Sequence, residues 1–195
     1  MTGVLVRELG PGDRHALTFI FGRLGAESRY RRFHGIVSEL TPEALDRLTD
    51  VDHWHAEALI AWSPVPRAPI GVARYVRCAQ FDVAELAVAV TDDWQRRGIG
   101  STLTAALRDR AAGAGIRRFR ASVLADNRAA LALARGLGPE LVADTRHGVV
   151  ELSVGWDRAP QVRARPPALD AQLGRDALSQ LRHVGDDAHR ATAVA

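Results

Sequence analysis

Ala84-Glu85-Leu86-Ala87-Val88-Ala89-Val90, followed four residues later by Gln95-Arg96-Arg97-Gly98-Ile99-Gly100-Ser101, decides how this chain is read. The first stretch is almost wholly apolar and short, as expected of a central β-strand. The second is a glycine turn that opens a long helical stretch, Ser101 to Ala112, which Gly113 and Gly115 stop. The first N–H groups of a helix have no partner within it, and the helix dipole adds partial positive charge there. A strand feeding such a turn makes a phosphate-binding site. Gly98 and Gly100 let a pyrophosphate approach the backbone, and Arg96 and Arg97 add charge. No Gly-Lys-Ser/Thr follows, so the turn is not a Walker loop. The third glycine of a dinucleotide fingerprint is missing as well.

Working outward, the pattern predicts a strand over Phe119–Leu124, then a helix capped by Asp126 or Asn127 with Ala130, Leu131, Ala134 and Leu137 on one side. Two strands follow, Leu141–Arg146 and Val149–Val154, around His147-Gly148. Upstream, Ala56–Trp62 and Ile70–Arg77 flank the proline-rich turn Ser63–Pro69 and predict a hairpin. Thr41-Pro42-Glu43-Ala44 reads as a helix start. Val4–Arg7 reads as a strand. Asp13 reads as the cap of a helix reaching Leu24, and Ser28–Phe33 as a short helix. Strands precede the glycine turn without intervening helices. The fold class is therefore mixed α/β with a largely antiparallel sheet, not a doubly wound one.

This part of the chain, residues 1–157, reads as one domain. Residues 158–195 are rich in Pro and Arg and read as an appendage, poorly ordered or forming one docking helix. The chain has 195 residues, 47% of them hydrophobic, enough to bury a core without staples. One cysteine, Cys78, excludes an internal disulfide framework and suits a cytoplasmic setting. No apolar run approaches a membrane span or a secretory signal. All 26 basic side chains are arginine and are scattered, and the net charge is only +3, so a nucleic-acid partner is not expected.

The motif Gln95-Arg96-Arg97-Gly98-Ile99-Gly100, together with Val123-Leu124-Ala125-Asp126-Asn127-Arg128-Ala129-Ala130 and Leu137-Gly138, resembles the GNAT N-acetyltransferase superfamily. The resemblance implies a mostly antiparallel central sheet flanked by helices, with acetyl-CoA as cosubstrate and no metal. It implies a coenzyme-A site formed by Val88, Ala89, Val90, Gln95, Arg96, Arg97, Gly98, Ile99, Gly100 and Ser101, with Asn127 reaching in from the opposite side. It further implies a β-bulge before the loop that opens the sheet, leaving backbone groups of Ala87–Val90 to pair with pantetheine.

In the N-terminal half, Ser28-Arg29-Tyr30-Arg31-Arg32-Phe33, Leu40-Thr41-Pro42-Glu43, Asp52-His53 and Glu57-Ala58-Leu59-Ile60-Ala61 are similar to the GNAT domain of bacterial protein lysine acetyltransferases. That comparison favours a protein lysine as acceptor over a small amine. A non-catalytic acetyl-CoA-binding regulatory module is the reading from another class. In that group the domain is often fused to a cyclic-nucleotide-binding or acyl-CoA-synthetase-like domain, and neither is recognisable in these 195 residues.

A protonated amine does not attack a thioester, so a base must take one proton, directly or through water. A carboxylate in an apolar site suits this task. The resemblance assigns it to Glu85, with Asp82 as the nearby competitor. Glu85, Ala87 and Ala89 share one strand face and Leu86, Val88 and Val90 the other. A backbone N–H of the same strand is available to a developing oxyanion. The tyrosine that many members use as general acid has no counterpart, because its position falls at Ala134 and the residue after Gly138 is Pro139. His53 and His55 lack the further ligands a metal needs. Cys78 has no catalytic partners in sequence. The Arg29–Arg32 cluster reads as a solvated face or as a contact for phosphate or an acidic substrate.

Overall fold

A computed structural model describes residues 3–156. The appendage expected over 158–195 lies outside the described residues. Seven strands form one sheet in the order β1-β2-β3-β4-β5-β7-β6. They are β1 (Leu5–Glu8), β2 (Ala56–Trp62), β3 (Pro69–Arg77), β4 (Val83–Val90), β5 (Arg118–Leu124), β6 (Glu140–Arg146) and β7 (Val149–Gly155). Every neighbouring pair is antiparallel except β4–β5, which is parallel. The helices are α1 (Arg14–Gly22), α2 (Ala26–Phe33), α3 (Pro42–Thr49), α4 (Ile99–Gly113) and α5 (Arg128–Arg135). The mixed, mostly antiparallel architecture expected from the sequence is the one observed.

The alternation within β2 divides the core in two. Leu59 and Ala61 face α4, where Ile99, Leu103, Leu107 and Ala111 pack on Ala73, Tyr75 and Phe119. Ala58 and Ile60 face the other way, onto Leu17 and Ile20 of α1. The two-residue period of the strand against the 3.6-residue period of the helices produces this three-layer arrangement. Leu103 and Leu107 are wholly inaccessible, which at about 25 cal/mol per Å² makes α4 the main clamp on this side of the sheet.

Three local expectations need correction. Asp13 stands at the N-cap position of α1, but its side chain makes no cap hydrogen bond. Its carboxylate instead accepts from Arg7 and from the Gly10 N–H at 3.0 Å, closing a one-turn 3-10 helix ahead of α1. A bidentate arginine is a stronger partner than a helical N–H. α1 also ends at Gly22, short of Leu24. α4 begins at Ile99, two residues earlier than its periodicity indicates, so Gly100 and Ser101 lie within its first turn. Thr41 and Asn127 do cap their helices, accepting from the N–H groups of Ala44 and Ala130 at 3.2 and 3.1 Å.

Candidate active site

β4 and β5 pair over three residues only, Val83 to Glu85 against Arg118 to Arg120. Beyond that fork β4 continues to Val90 and β5 to Leu124 without pairing to each other. β4 keeps an unbroken register with β3 from Ala84 to Val90, so no bulge opens the sheet; the parting of two strands does. Between them lies a cavity of about 980 Å³, lined by Glu85–Val90, by Phe119–Val123 and by α5. This volume lies at the upper end of the range for small-molecule sites.

The glycine turn sits at one end of the cavity. Gly98 takes a left-handed φ of 77° and Arg96 one of 56°, which aim the turn so that Ile99 can start α4. No side chain caps this helix, and its first internal hydrogen bond is Thr102 N–H to the Gly98 carbonyl at 3.0 Å. The N–H groups of Ile99, Gly100 and Ser101 therefore have no partner inside the helix and lie at its positive end. With Arg96 beside them, this chemistry fits a pyrophosphate. The long cavity between the strands fits the arm that such a phosphate carries.

Of the residues assigned to cofactor binding, Val88, Ala89, Val90, Gln95, Arg96, Gly98, Ile99, Gly100, Ser101 and Asn127 all line the cavity. Arg97 does not: its guanidinium stacks over Trp94 at 5.0 Å, outside the lining. The two amide hydrogens of Gln95 are shared among three acceptors, Ser28 Oγ, the Val90 carbonyl and Asp92 Oδ1, at 3.1, 3.1 and 2.9 Å from Nε2. Its work in the free protein is to tie the loop to the end of β4. Asn127 spends its side-chain oxygen on the α5 cap and presents its remaining amide group from the cavity wall.

Glu85 is the last residue of β4 that pairs with β5 and lies half-buried at the fork. Its face of the sheet is not apolar, as the sequence suggested. Arg74 of β3 lies opposite Ala87, and Arg120 of β5 lies opposite Glu85 itself. Arg32 of α2 covers the same face; burial holds its pKa below the ordinary arginine value, and the Glu85 charge acts the other way. Asp82 is exposed, and its carbonyl is taken by the Arg117 and Arg118 N–H groups. Sequence reading missed Arg74 and Arg120. The available signal was a charged residue inside the apolar run Ile70–Val76.

The other candidates fall elsewhere. His53 Nδ1 meets buried Glu57 at 3.0 Å and His55 Nδ1 meets Asp52 at 2.7 Å, so the two rings serve separate carboxylates. No group of three or more His, Cys, Asp and Glu side chains converges among the described residues. Burial, and then the nearby Glu85 charge, push the Cys78 thiol pKa up, the wrong direction for a nucleophile. The Arg29–Arg32 cluster divides. Arg29 stacks on Phe21 and donates to the Leu24 carbonyl, whereas Arg31 and Arg32 line the cavity. Ala134, at the position of the missing tyrosine, lines it as well. Among the described residues no helix is long and apolar enough to cross a membrane.

A sequence profile of the Acetyltransferase (GNAT) family matches residues 27–138. An acetyltransferase of Pseudomonas aeruginosa is 33% identical over 137 residues, spanning 69% of this chain and 74% of that protein. Acetyltransferase Pat of Mycolicibacterium smegmatis is 33% identical over 166 residues, 85% of this chain; the match spans about half, 49%, of that relative. Among solved structures, the GNAT domain of S. lividans PAT superposes with a TM-score of 0.70 at 29% identity, covering 77% of this chain and 89% of that one.

Proposed function

The chain belongs to the Acetyltransferase (GNAT) family, and on that premise we propose that it moves the acetyl group of acetyl-CoA onto the amine of a protein lysine, with Glu85 as general base. The observation that carries this reading is the fork between β4 and β5, which puts a carboxylate at the closed end of a cavity whose other end is an uncapped helix start. The first-turn N–H groups of α4 and Arg96 hold the pyrophosphate of the cosubstrate. The edge of β4 from Ala87 to Val90 faces the cavity without a partner strand and is available to pair with the pantetheine amides.

An acceptor amine enters from the side of α2 and meets Glu85. The guanidinium groups of Arg32, Arg74 and Arg120 make this region positive, which disfavours an ammonium. The amine gives up its proton to Glu85, directly or through water, and then attacks the thioester carbon. The C–N bond forms first and gives a tetrahedral intermediate; its collapse breaks the C–S bond, the nitrogen loses its second proton to solvent, and the departing thiolate takes one from solvent, since Ala134 supplies no acid. A β4 N–H adjacent to the reacting carbonyl stabilises its developing charge. The acceptor's approach through an open cavity mouth suits a side chain presented by another protein. Half-buried, unpaired Cys78 suits a reducing cytoplasm.

The test is thiol release from acetyl-CoA by the purified chain, offered lysine-containing proteins in one arm and small amines in the other. Release that requires a lysine-bearing protein supports the reading. Release with small amines alone moves the acceptor to that class, and coenzyme-A binding with no release against either contradicts catalysis.

A further inference from the structure

Arg74 is 8% exposed, and among the described residues its guanidinium donates one hydrogen bond, from Nη1 to the Arg47 carbonyl at 2.9 Å. Its Nε is fully buried with no partner. A buried donor left without an acceptor costs on the order of 1–3 kcal/mol, so such a group marks a place where an acceptor is missing. Arg74 lines the large cavity and also a smaller apolar pocket of about 50 Å³ behind it, with Arg32, Ala87 and Ala89 common to both. Burial first, and then the neighbouring Arg32 charge, lower the Arg74 pKa to about 10, with Asp50 acting the other way. Arg32, Arg74 and Arg120 thus gather around Glu85, and the Nε of Arg74 is the donor among them that lacks an acceptor.

We propose that Arg74 and Arg32 form a carboxylate-binding subsite beside Glu85, filled during turnover by a carboxylate that one of the two substrates carries near its reacting group. The inference rests on the acetyl-transfer reading above. Strand geometry supports it: Arg74 lies opposite Ala87, so Glu85 is its diagonal neighbour at about 7–8 Å. One acceptor can therefore place its amine at Glu85 and a carboxylate at the arginines. The planar arginine fork suits a carboxylate, and Ala87 and Ala89 leave space over the strand for one. The acceptor selected is a lysine with an acidic neighbour. The alternative source of the same chemistry is an acyl group ending in a carboxylate.

Two peptides that differ only beside their single lysine, glutamate in one and glutamine in the other, decide the matter at saturating acetyl-CoA. The subsite predicts a kcat/KM at least about tenfold higher for the glutamate peptide, the scale of a charge-assisted contact. In Arg32→Gln the ratio falls to near one, and Arg74→Met does the same if it folds. A second arm offers succinyl-CoA and acetyl-CoA to the glutamine peptide. A succinyl preference that Arg32→Gln abolishes supports the subsite and assigns the carboxylate to the donor. Ratios near one in both arms, with normal turnover, overturn the subsite and leave acetyl transfer intact. If neither peptide is acetylated, the lysine-acceptor part of the acetyl-transfer reading fails. The subsite is then read by equilibrium binding of the two peptides to the coenzyme-A complex, where equal affinities overturn it and tenfold tighter binding of the glutamate peptide supports it.

Discussion

Replacing Gly100 with alanine separates the backbone's role in binding from its role in folding. Gly100 is the second residue of α4, and a Cβ built there meets Leu133 at 3.7 and 3.9 Å and Val90 at 4.0 Å, ordinary contact distances. The free protein therefore accepts a methyl group without strain. Alanine is a better helix former than glycine by up to about 1 kcal/mol, less in a first turn. On a chain of this size that raises the melting temperature by at most about 2–4 °C. The same methyl stands on the N–H surface to which a pyrophosphate must come close, so coenzyme-A affinity should fall at least about tenfold, roughly 1.4 kcal/mol.

The assay is thermal melting with and without coenzyme A, paired with calorimetric titration. Gly100→Ala should melt at or slightly above the wild-type temperature when free, yet lose most of the ligand-induced shift. Gly98→Ala behaves differently. Its left-handed φ of 77° costs a non-glycine residue about 1–2 kcal/mol, so it should melt lower when free. Wild-type coenzyme-A affinity in Gly100→Ala would refute the proposal that this backbone holds the phosphates. A large drop in its free melting temperature would show that the position is structural.

Other outcomes follow from the same geometry. Asn127→Ala should lose about 1 kcal/mol of stability with the α5 cap, and coenzyme-A affinity with it; Asn127→Ser, which keeps a cap, should recover the melting temperature but not the full affinity. Leu107→Ala, in a position with no exposure between α4 and the sheet, should cost about 2–5 kcal/mol in denaturant unfolding. The Arg7 side chain holds the Asp13 carboxyl below its ordinary pKa. A depressed acid contributes stability above its unfolded pKa and loses it as pH falls through the folded value. Asp13→Asn should thus be less stable than wild type near neutrality, with the gap closing as pH drops below about 4.

Much of this architecture was legible because it is local. The bounds of β2 follow from Ala56–Trp62 alone and the cap of α3 from Thr41-Pro42, and the sequence narrows the α5 cap to Asp126 or Asn127, since each depends on neighbours a few residues away. The glycine turn was legible for the same reason. What escaped depends on partners distant in sequence. Asp13 was drawn from its expected cap by Arg7 on the preceding strand. Arg97 turned onto Trp94 instead of into the cavity. The opening of the sheet is a property of β4 and β5 jointly, and nothing in either strand states where their pairing stops. The arginines around Glu85 come from α2, β3 and β5, so only the fold makes them neighbours.

The central claim is that Glu85 takes the proton from the acceptor amine. The most direct measurement is kcat/KM for amine acetylation by wild type and Glu85→Gln between pH 6 and 9, at saturating acetyl-CoA and with coenzyme-A affinity measured alongside. The predicted result is a loss of about 10²–10⁴-fold in the variant with unchanged coenzyme-A binding. A variant whose profile stays within threefold of wild type across the range would contradict it and make Glu85 a structural partner of the arginines around it.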